Sequence, residues 1–344
     1  MPAATRSCPS LTVEGDTAGL ARLGWSSFFS DQSEAGEDGL DAVRIVSVHR
    51  ARMSGMTGSG PAELVLPPNA NTGDYAVGDW VLVDASTGLL KRRLERKTLL
   101  KRRIGDGSVQ LSGANIDTLF IVTSCNADFN IARLERYLAM TNQAGIDPVI
   151  VLTKADTVDD AEQFRAQAAP LQRDLPVVVV DPRQPDAVAV LASWCAAGQT
   201  VALTGSSGVG KSTLVNTLAG AGLAAPLLTG DIREHDAKGR HTTTARSLHP
   251  IAGGGWVMDT PGIRTLHISD MEDGLSTVFA EITELAPQCR FNNCTHIHEP
   301  GCAVRAAIAA GTVDADRFER WRKLSDENLA AIAPKDGSGG RSRR

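Results

Sequence analysis

Aromatic side chains are scarce in this chain: two Tyr, eight Phe and five Trp among 344 residues. A surface that reads unpaired bases by stacking needs several exposed rings. Stacking is therefore excluded as the main mode of any nucleic-acid recognition, which leaves shape and phosphate contacts. Cysteine is sparse too. Of the six present, Cys8, Cys125 and Cys195 are scattered, so there is no disulfide framework. That pattern fits a reducing compartment, with the scattered thiols acting as small buried hydrophobes. No apolar run reaches the roughly twenty residues that cross a bilayer, and no stretch reads as a secretory signal. A cytoplasmic chain with no membrane partner is expected. Positive charge is not in excess either: the formal net charge is −5, which excludes indiscriminate attraction to nucleic acid. There is no internal repeat, and nothing demands more than a monomer.

What is present divides the chain into regions. Apolar residues make up 42% of the sequence, ample for the cores of two or three domains. Residues 1–40 are Ser-, Gly- and acid-rich around one apolar patch (Leu20 to Phe29), and read as a partly disordered extension. Residues 41–112 carry short alternating runs (Val43-Ile45-Val48, Ala62–Leu66, Trp80–Val83) broken by Gly and Pro, the pattern of a small β barrel. Within it, Lys91 to Arg103 holds eight basic residues and one acid. On a barrel rim this stretch would meet RNA phosphates; alone, it reads equally as a solvated charged face. In residues 113–268, apolar strand cores (Leu119–Val122, Val149–Leu152, Val177–Val180, Val201–Leu203, Trp256–Met258) alternate with helical stretches, which predicts α/β with a parallel sheet. Residues 269–335 read as helical, and 336–344 as a basic, disordered tail.

The chemistry is densest at Gly205-Ser206-Ser207-Gly208-Val209-Gly210-Lys211-Ser212-Thr213. A strand signal (Val201 to Thr204) precedes it and a helix signal (Thr213 to Ala219) follows. Its glycines let consecutive N–H groups point at phosphate oxygens at a helix start. Lys211 would reach the β- and γ-phosphates, and Ser212 would ligate Mg²⁺. About fifty residues earlier, Thr153-Lys154-Ala155-Asp156 ends an apolar run. The Asp156 carboxylate can accept from the N1–H and 2-amino group of guanine, a donor pair that adenine lacks, while the Lys154 stem would lie along the base. Thr153 stands where Asn is usual. The loop expected to close over the base, Asp181-Pro182-Arg183, lacks the usual Ser-Ala. Guanine-reading motifs ordinarily follow the phosphate loop. Here the order is inverted, as in a circularly permuted GTP-binding domain.

Downstream, Trp256-Val257-Met258 leads into Asp259-Thr260-Pro261-Gly262. Asp259 could hold Mg²⁺ through water, and Gly262 would offer its N–H to the γ-phosphate. Between the two motifs, Gly239-Arg240-His241-Thr242-Thr243-Thr244 supplies hydroxyls, with Thr243 preferred as the switch threonine and Thr242 its competitor. Ile263 occupies the position of the water-orienting Gln of many GTPases, so slow unassisted hydrolysis is expected. His241 is the nearby side chain suited to orient water; the alternative is an exposed loop histidine.

Cys289-Arg290-Phe291-Asn292-Asn293-Cys294-Thr295-His296-Ile297-His298-Glu299-Pro300-Gly301-Cys302 packs three cysteines and two histidines into fourteen residues. Cys289, Cys294, His296 and Cys302 suit a closed, structural tetrahedral Zn²⁺ site, one ion per chain, with His298 the alternative fourth ligand.

With these residues together, the chain resembles the bacterial ribosome small-subunit-dependent GTPase A family, circularly permuted GTPases acting late in small-subunit assembly. The resemblance runs from about Ala42 to about Leu329. It rests on Gly78-Asp79-Trp80-Val81, Thr153–Asp156, the phosphate loop, Gly239–Thr244, Asp259–Gly262, and Cys289–Cys302 followed by Ala303-Val304. It implies an N-terminal OB-fold barrel, a central permuted P-loop GTPase domain and a C-terminal helical zinc domain. It also implies hydrolysis of GTP to GDP and phosphate, stimulated by the 30S subunit and its 16S rRNA. The competing readings are a P-loop ATPase or kinase, which Asp156 disfavours, and an RNA-binding module that uses nucleotide only as a structural switch.

Overall fold

The computed structural model describes residues 17–49, 52–103, 108–220, 246–259 and 271–332. The alternating N-terminal runs become antiparallel strands. β1 (Leu40–Val48), β2 (Met53–Thr57) and β3 (Gly60–Leu64) form a meander. β4 (Trp80–Asp84) returns to the other edge of β1, and β5 (Leu90–Arg93) pairs with β4. Just past β3, Val65 makes a parallel bridge to Leu89, its N–H donating to Gly88 at 2.9 Å while Leu90 donates back to Val65 at 2.9 Å. The pairings run β1–β2–β3–β5–β4 and return to β1. A ring of five strands results, enclosing Val43, Ile45, Leu64, Val81, Val83 and Leu90. β6 (Leu99–Arg103) and β7 (Val109–Ala114) form a separate two-stranded hairpin.

The apolar patch noted at Leu20 to Phe29 is folded rather than loose. Helices Thr17–Arg22 and Ser27–Ser30 bury Leu20, Leu23 and Phe29 against Trp80, Leu82 and Leu94. Trp25 meets Trp80 edge-on, with ring centroids 4.8 Å apart, a geometry that adds about 1 kcal/mol to the burial. Of the extension expected to be partly disordered over 1–40, residues 17–40 are described with these helices, and residues 1–16 lie outside the described set. Arg44 fastens this arm: its buried guanidinium donates to the Leu23 carbonyl, to Asn115 O at 3.2 Å and to Thr200 Oγ1 at 2.7 Å. Burial pulls its pKa down to about 10, opposed by nearby Asp117, so it stays cationic at neutral pH.

The central sheet comprises β8 (Thr118–Ser124), β9 (Asp147–Thr153), β10 (Val177–Val179), β11 (Thr200–Thr204), β12 (Arg246–Pro250) and β13 (Trp256–Asp259). Their order is β10-β9-β8-β11-β13-β12. All neighbours are parallel except β12 and β13. Val149 to Leu152 is an unbroken apolar run, as a strand covered on both faces requires, and all four residues are buried. β11 ends in the phosphate loop and lies mid-sheet, although three strands of this sheet precede it in the chain. That is the permutation, written in strand order. β12 also pairs antiparallel with β1 through Ser47 and Ser247, so one eleven-stranded sheet spans the barrel and α/β regions.

Helix Glu272–Val278 packs on helix Ile131–Gln143, helix Ala315–Ile332 reaches it through Arg317, Arg320 and Glu327, and Val304 of helix Ala303–Ala309 joins the same core. Gly274 allows the closest approach, because a Cβ there would drive into the Ala139 carbonyl oxygen. Glu135, fully buried, pairs with Arg317 at 3.1 Å and Arg320 at 2.8 Å. Among the described residues, no helix is long and apolar enough to cross a membrane.

Candidate functional site

The phosphate loop leaves β11 at Thr204 and enters helix Lys211–Ala219. Gly205, Gly208 and Gly210 have φ of +138°, +75° and +96°, a region that side-chain-bearing residues enter only at a cost. Their roles differ. A Cβ at Gly205 would collide with the Val122 carbonyl of β8, whereas one at Gly208 would meet nothing within 4 Å. Gly205 lets the loop pass the neighbouring strand; Gly208 supplies the turn. Lys211 bends back so that its ammonium donates to the Ser206 carbonyl. Ser206, Ser207, Val209, Ser212 and Thr213 complete the loop and the first helical turn, where the helix dipole favours an anion.

The turn Thr153–Asp156 leaves β9 two strands away. Thr153 is fully buried, and its hydroxyl donates to Val209 O of the phosphate loop at 2.7 Å, with Thr123 O at 3.2 Å. These groups are 56 residues apart in sequence. Thr153 thus clasps the two loops together, and its side chain is spent on the protein. Lys154 is left-handed, at φ 56°, a conformation costing a non-glycine residue about 1 kcal/mol. Its carbonyl accepts from the Thr157 hydroxyl at 2.7 Å, which tightens the turn and leaves Ala155 and Asp156 at its tip. The Asp156 carboxylate is half exposed and accepts from Arg183 Nη2 at 2.9 Å.

That partner lies in the loop whose sequence lacked Ser-Ala. Pro182 is buried, and its carbonyl accepts from the Thr217 hydroxyl of the phosphate-loop helix at 2.6 Å. Its ring also stands 3.2 Å from where a Gly210 Cβ would be. Asp181 grips Arg183 through two contacts at 2.8 Å, and those hydrogen bonds hold its carboxyl down at about 2. Sequence reasoning missed the engagement of Asp156 by Arg183. The signal available was an arginine within the segment expected to face the base.

Asp259 ends β13, which runs parallel beside β11 through the Ala202–Met258 pair. Asp259 thus lies at the C-terminal end of β13, and Ser212 lies past the C-terminal end of the adjacent parallel strand β11. His241, Thr242, Thr243 and Gly262 lie outside the described residues.

The cysteine–histidine cluster is gathered: ligand atoms of Cys289, Cys294, His296 and Cys302 all lie within 4.8 Å of one another. The Cys289 and Cys302 sulfurs are 3.8 Å apart, and His296 Nδ1 is 3.5 and 3.4 Å from them. Tetrahedral zinc with bonds of about 2.3 Å to sulfur and 2.0 Å to nitrogen has edges of about 3.8 and 3.5 Å. The donor set and spacing fit that ion. His296 turns inward through a left-handed backbone at φ 61°, while His298 is exposed and outside the cluster. Cys302 also caps helix Ala303–Ala309, its sulfur accepting from Arg305 N at 3.4 Å. Cys125 and Cys195 are buried elsewhere, and burial pushes the Cys195 thiol up to about 12, so both are inert.

Several of the described basic side chains between Lys91 and Arg103 have partners within the protein. Arg92 binds Glu37 at 2.7 Å and Arg96 binds buried Asp79 at 2.6 Å, while the Lys97 ammonium lies 5.2 Å from the Phe29 ring centre. Lys91, Arg93 and Lys101 are exposed.

Comparison with known proteins decides the family. The pattern of the family described as RsgA GTPase matches residues 93–269. A small ribosomal subunit biogenesis GTPase RsgA from Mesorhizobium japonicum is 66% identical over 317 residues, covering 92% of either chain. The chain belongs to the RsgA GTPase family. It is accordingly a GTPase. A Vibrio vulnificus relative, small ribosomal subunit biogenesis GTPase RsgA 2, is 46% identical over 90% of this chain and 87% of its own. In fold, the chain is similar to YjeQ from Thermotoga maritima, with TM-score 0.62, 24% identity, and coverage of 84% of this chain and 99% of that one. It is also similar to YloQ, described as a circularly permuted GTPase, with TM-score 0.62 at 21% identity over 88% of this chain and 99% of that one.

Proposed function

We propose that this GTPase acts in maturation of the small ribosomal subunit, binding the 30S particle and hydrolysing GTP to GDP and phosphate when the particle stimulates it. The observation that carries the nucleotide site is the Thr153–Val209 clasp at 2.7 Å, which holds a base-reading turn beside a phosphate loop despite their swapped order. Backbone N–H groups of Gly205 to Ser212 cradle the phosphates and Lys211 offsets their charge. Asp156 reads guanine. Ser212, Asp259 and Thr243 hold Mg²⁺, which when bound neutralises charge developing on the phosphates. His241 orients the attacking water on the particle, and Gly262 meets the γ-phosphate. Zn²⁺ at Cys289, Cys294, His296 and Cys302 is structural, having no open position. The five-stranded ring is an OB barrel whose exposed Lys91 and Arg93, with Lys101 of the β6–β7 hairpin, meet 16S rRNA phosphates without reading sequence. The protein works as a cytoplasmic monomer.

The test is GTP turnover with and without purified small subunits. Wild type should be slow alone and faster with subunits. Lys211→Ala should lose about a hundredfold or more in both conditions, and His241→Ala should lose only the stimulated rate. Rates that subunits do not change would reject this reading, and no turnover even with subunits would favour a binding module.

A further inference from the structure

We propose that Arg183 competes with the guanine edge for the Asp156 carboxylate, and so sets how fast nucleotide leaves; this rests on the proposed guanine-reading role of Asp156. A guanidinium presents coplanar N–H donors, the same chemistry as the N1–H and 2-amino edge of guanine. Arg183 Nη2 lies 2.9 Å from Asp156 Oδ2 and 2.8 Å from Asp181 Oδ2, while its Nε lies 2.8 Å from Asp181 Oδ1. Asp156 thus accepts one Arg183 N–H at an oxygen where the guanine edge would bond, and that contact is lost when the base takes both carboxylate oxygens.

Arg183 stays within reach because its backbone is tethered. Pro182 is buried, bonded through its carbonyl to Thr217 of the phosphate-loop helix at 2.6 Å and packed beside Gly210. The exchange of partners at Asp156 is therefore a side-chain rotation about a fixed loop. Asp181 supplies the resting place: when guanine takes Asp156, Arg183 keeps its two contacts to Asp181 and loses only the third. Because the Arg183 and Asp156 side chains are 60% and 49% exposed, the competition is modest, about two- to fivefold, and salt weakens it.

The experiment is stopped-flow dissociation of fluorescent GDP from the full-length protein at low and high salt. Arg183→Ala should release GDP about two- to fivefold more slowly than wild type at low salt, with the gap narrowing at high salt. An unchanged or faster release overturns the proposal; faster release would mean that Arg183 holds the bound base. A control isolates the carboxylate. Asp156→Asn should shift preference from GDP to xanthosine diphosphate, because an amide matches the 2-oxo group, and in that background Arg183→Ala should leave release of xanthosine diphosphate unchanged. A slowing that persists there overturns the competition. If instead wild type prefers ADP to GDP, the guanine-reading role itself fails.

Discussion

The cysteine–histidine cluster and the candidate nucleotide site are assembled in opposite ways. The four metal ligands come from fourteen consecutive residues, turned inward by local devices: a left-handed His296, a helix capped by Cys302, and Glu299 accepting from the Thr295, Ile297 and His298 N–H groups. The candidate nucleotide site draws on segments that follow β9, β10 and β11 and on Asp259 at the end of β13, brought together by the sheet and by the Thr153–Val209 and Pro182–Thr217 contacts. One site is made by its loop and its ion; the other by the fold. They should therefore fail differently. Losing a ligand should undo the first locally, while the second should fail wherever strand-to-strand fit is disturbed.

The sharpest break is at the metal. Cys302→Ala should remove zinc whose binding is worth on the order of 10 kcal/mol. Metal content should fall from about one equivalent to none, with residues 289–302 becoming protease-sensitive, while GDP affinity changes little. His298→Ala, outside the cluster, should keep its zinc.

Next comes Gly205, where the fold makes the site. With φ +138° and the Val122 carbonyl in the path of any Cβ, Gly205→Ala should cost more than about 4 kcal/mol, read as a large fall in Tm. Gly208→Ala, with open space around it, should cost about 1 kcal/mol yet weaken nucleotide binding, because a methyl would stand where phosphate approaches. Equal losses at both positions would erase the distinction between strand fit and loop shape.

A third test concerns the joint between the two regions. Glu135→Ala takes the carboxylate from Arg320 and one of two from Arg317, which keeps Glu281. Stranding buried charge costs about 3 kcal/mol. Unfolding should lose cooperativity, with the C-terminal helices melting before the sheet.

Legibility in the sequence follows the same division. The phosphate loop and the metal ligands were readable because glycine placement and ligand spacing are local demands. The parallel strand cores were readable because a strand covered on both faces must be apolar throughout, as Val149 to Leu152 is. The inverted order was visible as order alone. Other features depend on distant residues. Nothing local to Thr153 says that its hydroxyl will bond Val209, and Arg183 looks like a surface arginine until Pro182 is docked on Thr217. Which members of the charge run from Lys91 to Arg103 have internal partners was hidden for the same reason: Glu37 and Asp79, far along the chain, claim Arg92 and Arg96. The apolar patch at Leu20 to Phe29 was noticed, but its partner Trp80 was not.

The smallest effect tests the clasp itself. Thr153→Val keeps the buried volume and removes the donor, leaving Val209 O without this bond at a cost of about 1–2 kcal/mol. Were the hydroxyl mere packing, Tm would fall and nothing else would change. As a clasp, its loss should loosen the phosphate loop against the base-reading turn, so hydrogen exchange at Val209 to Ser212 should rise and GDP should leave several-fold faster. Thr153→Asn, which restores the residue usual in this motif, should not rescue. The site is fully buried, and a larger amide would overpack it by about 1–3 kcal/mol. Rescue by Asn would show that the side chain reads the base after all, and would shift the role of Thr153 from the fold to the ligand.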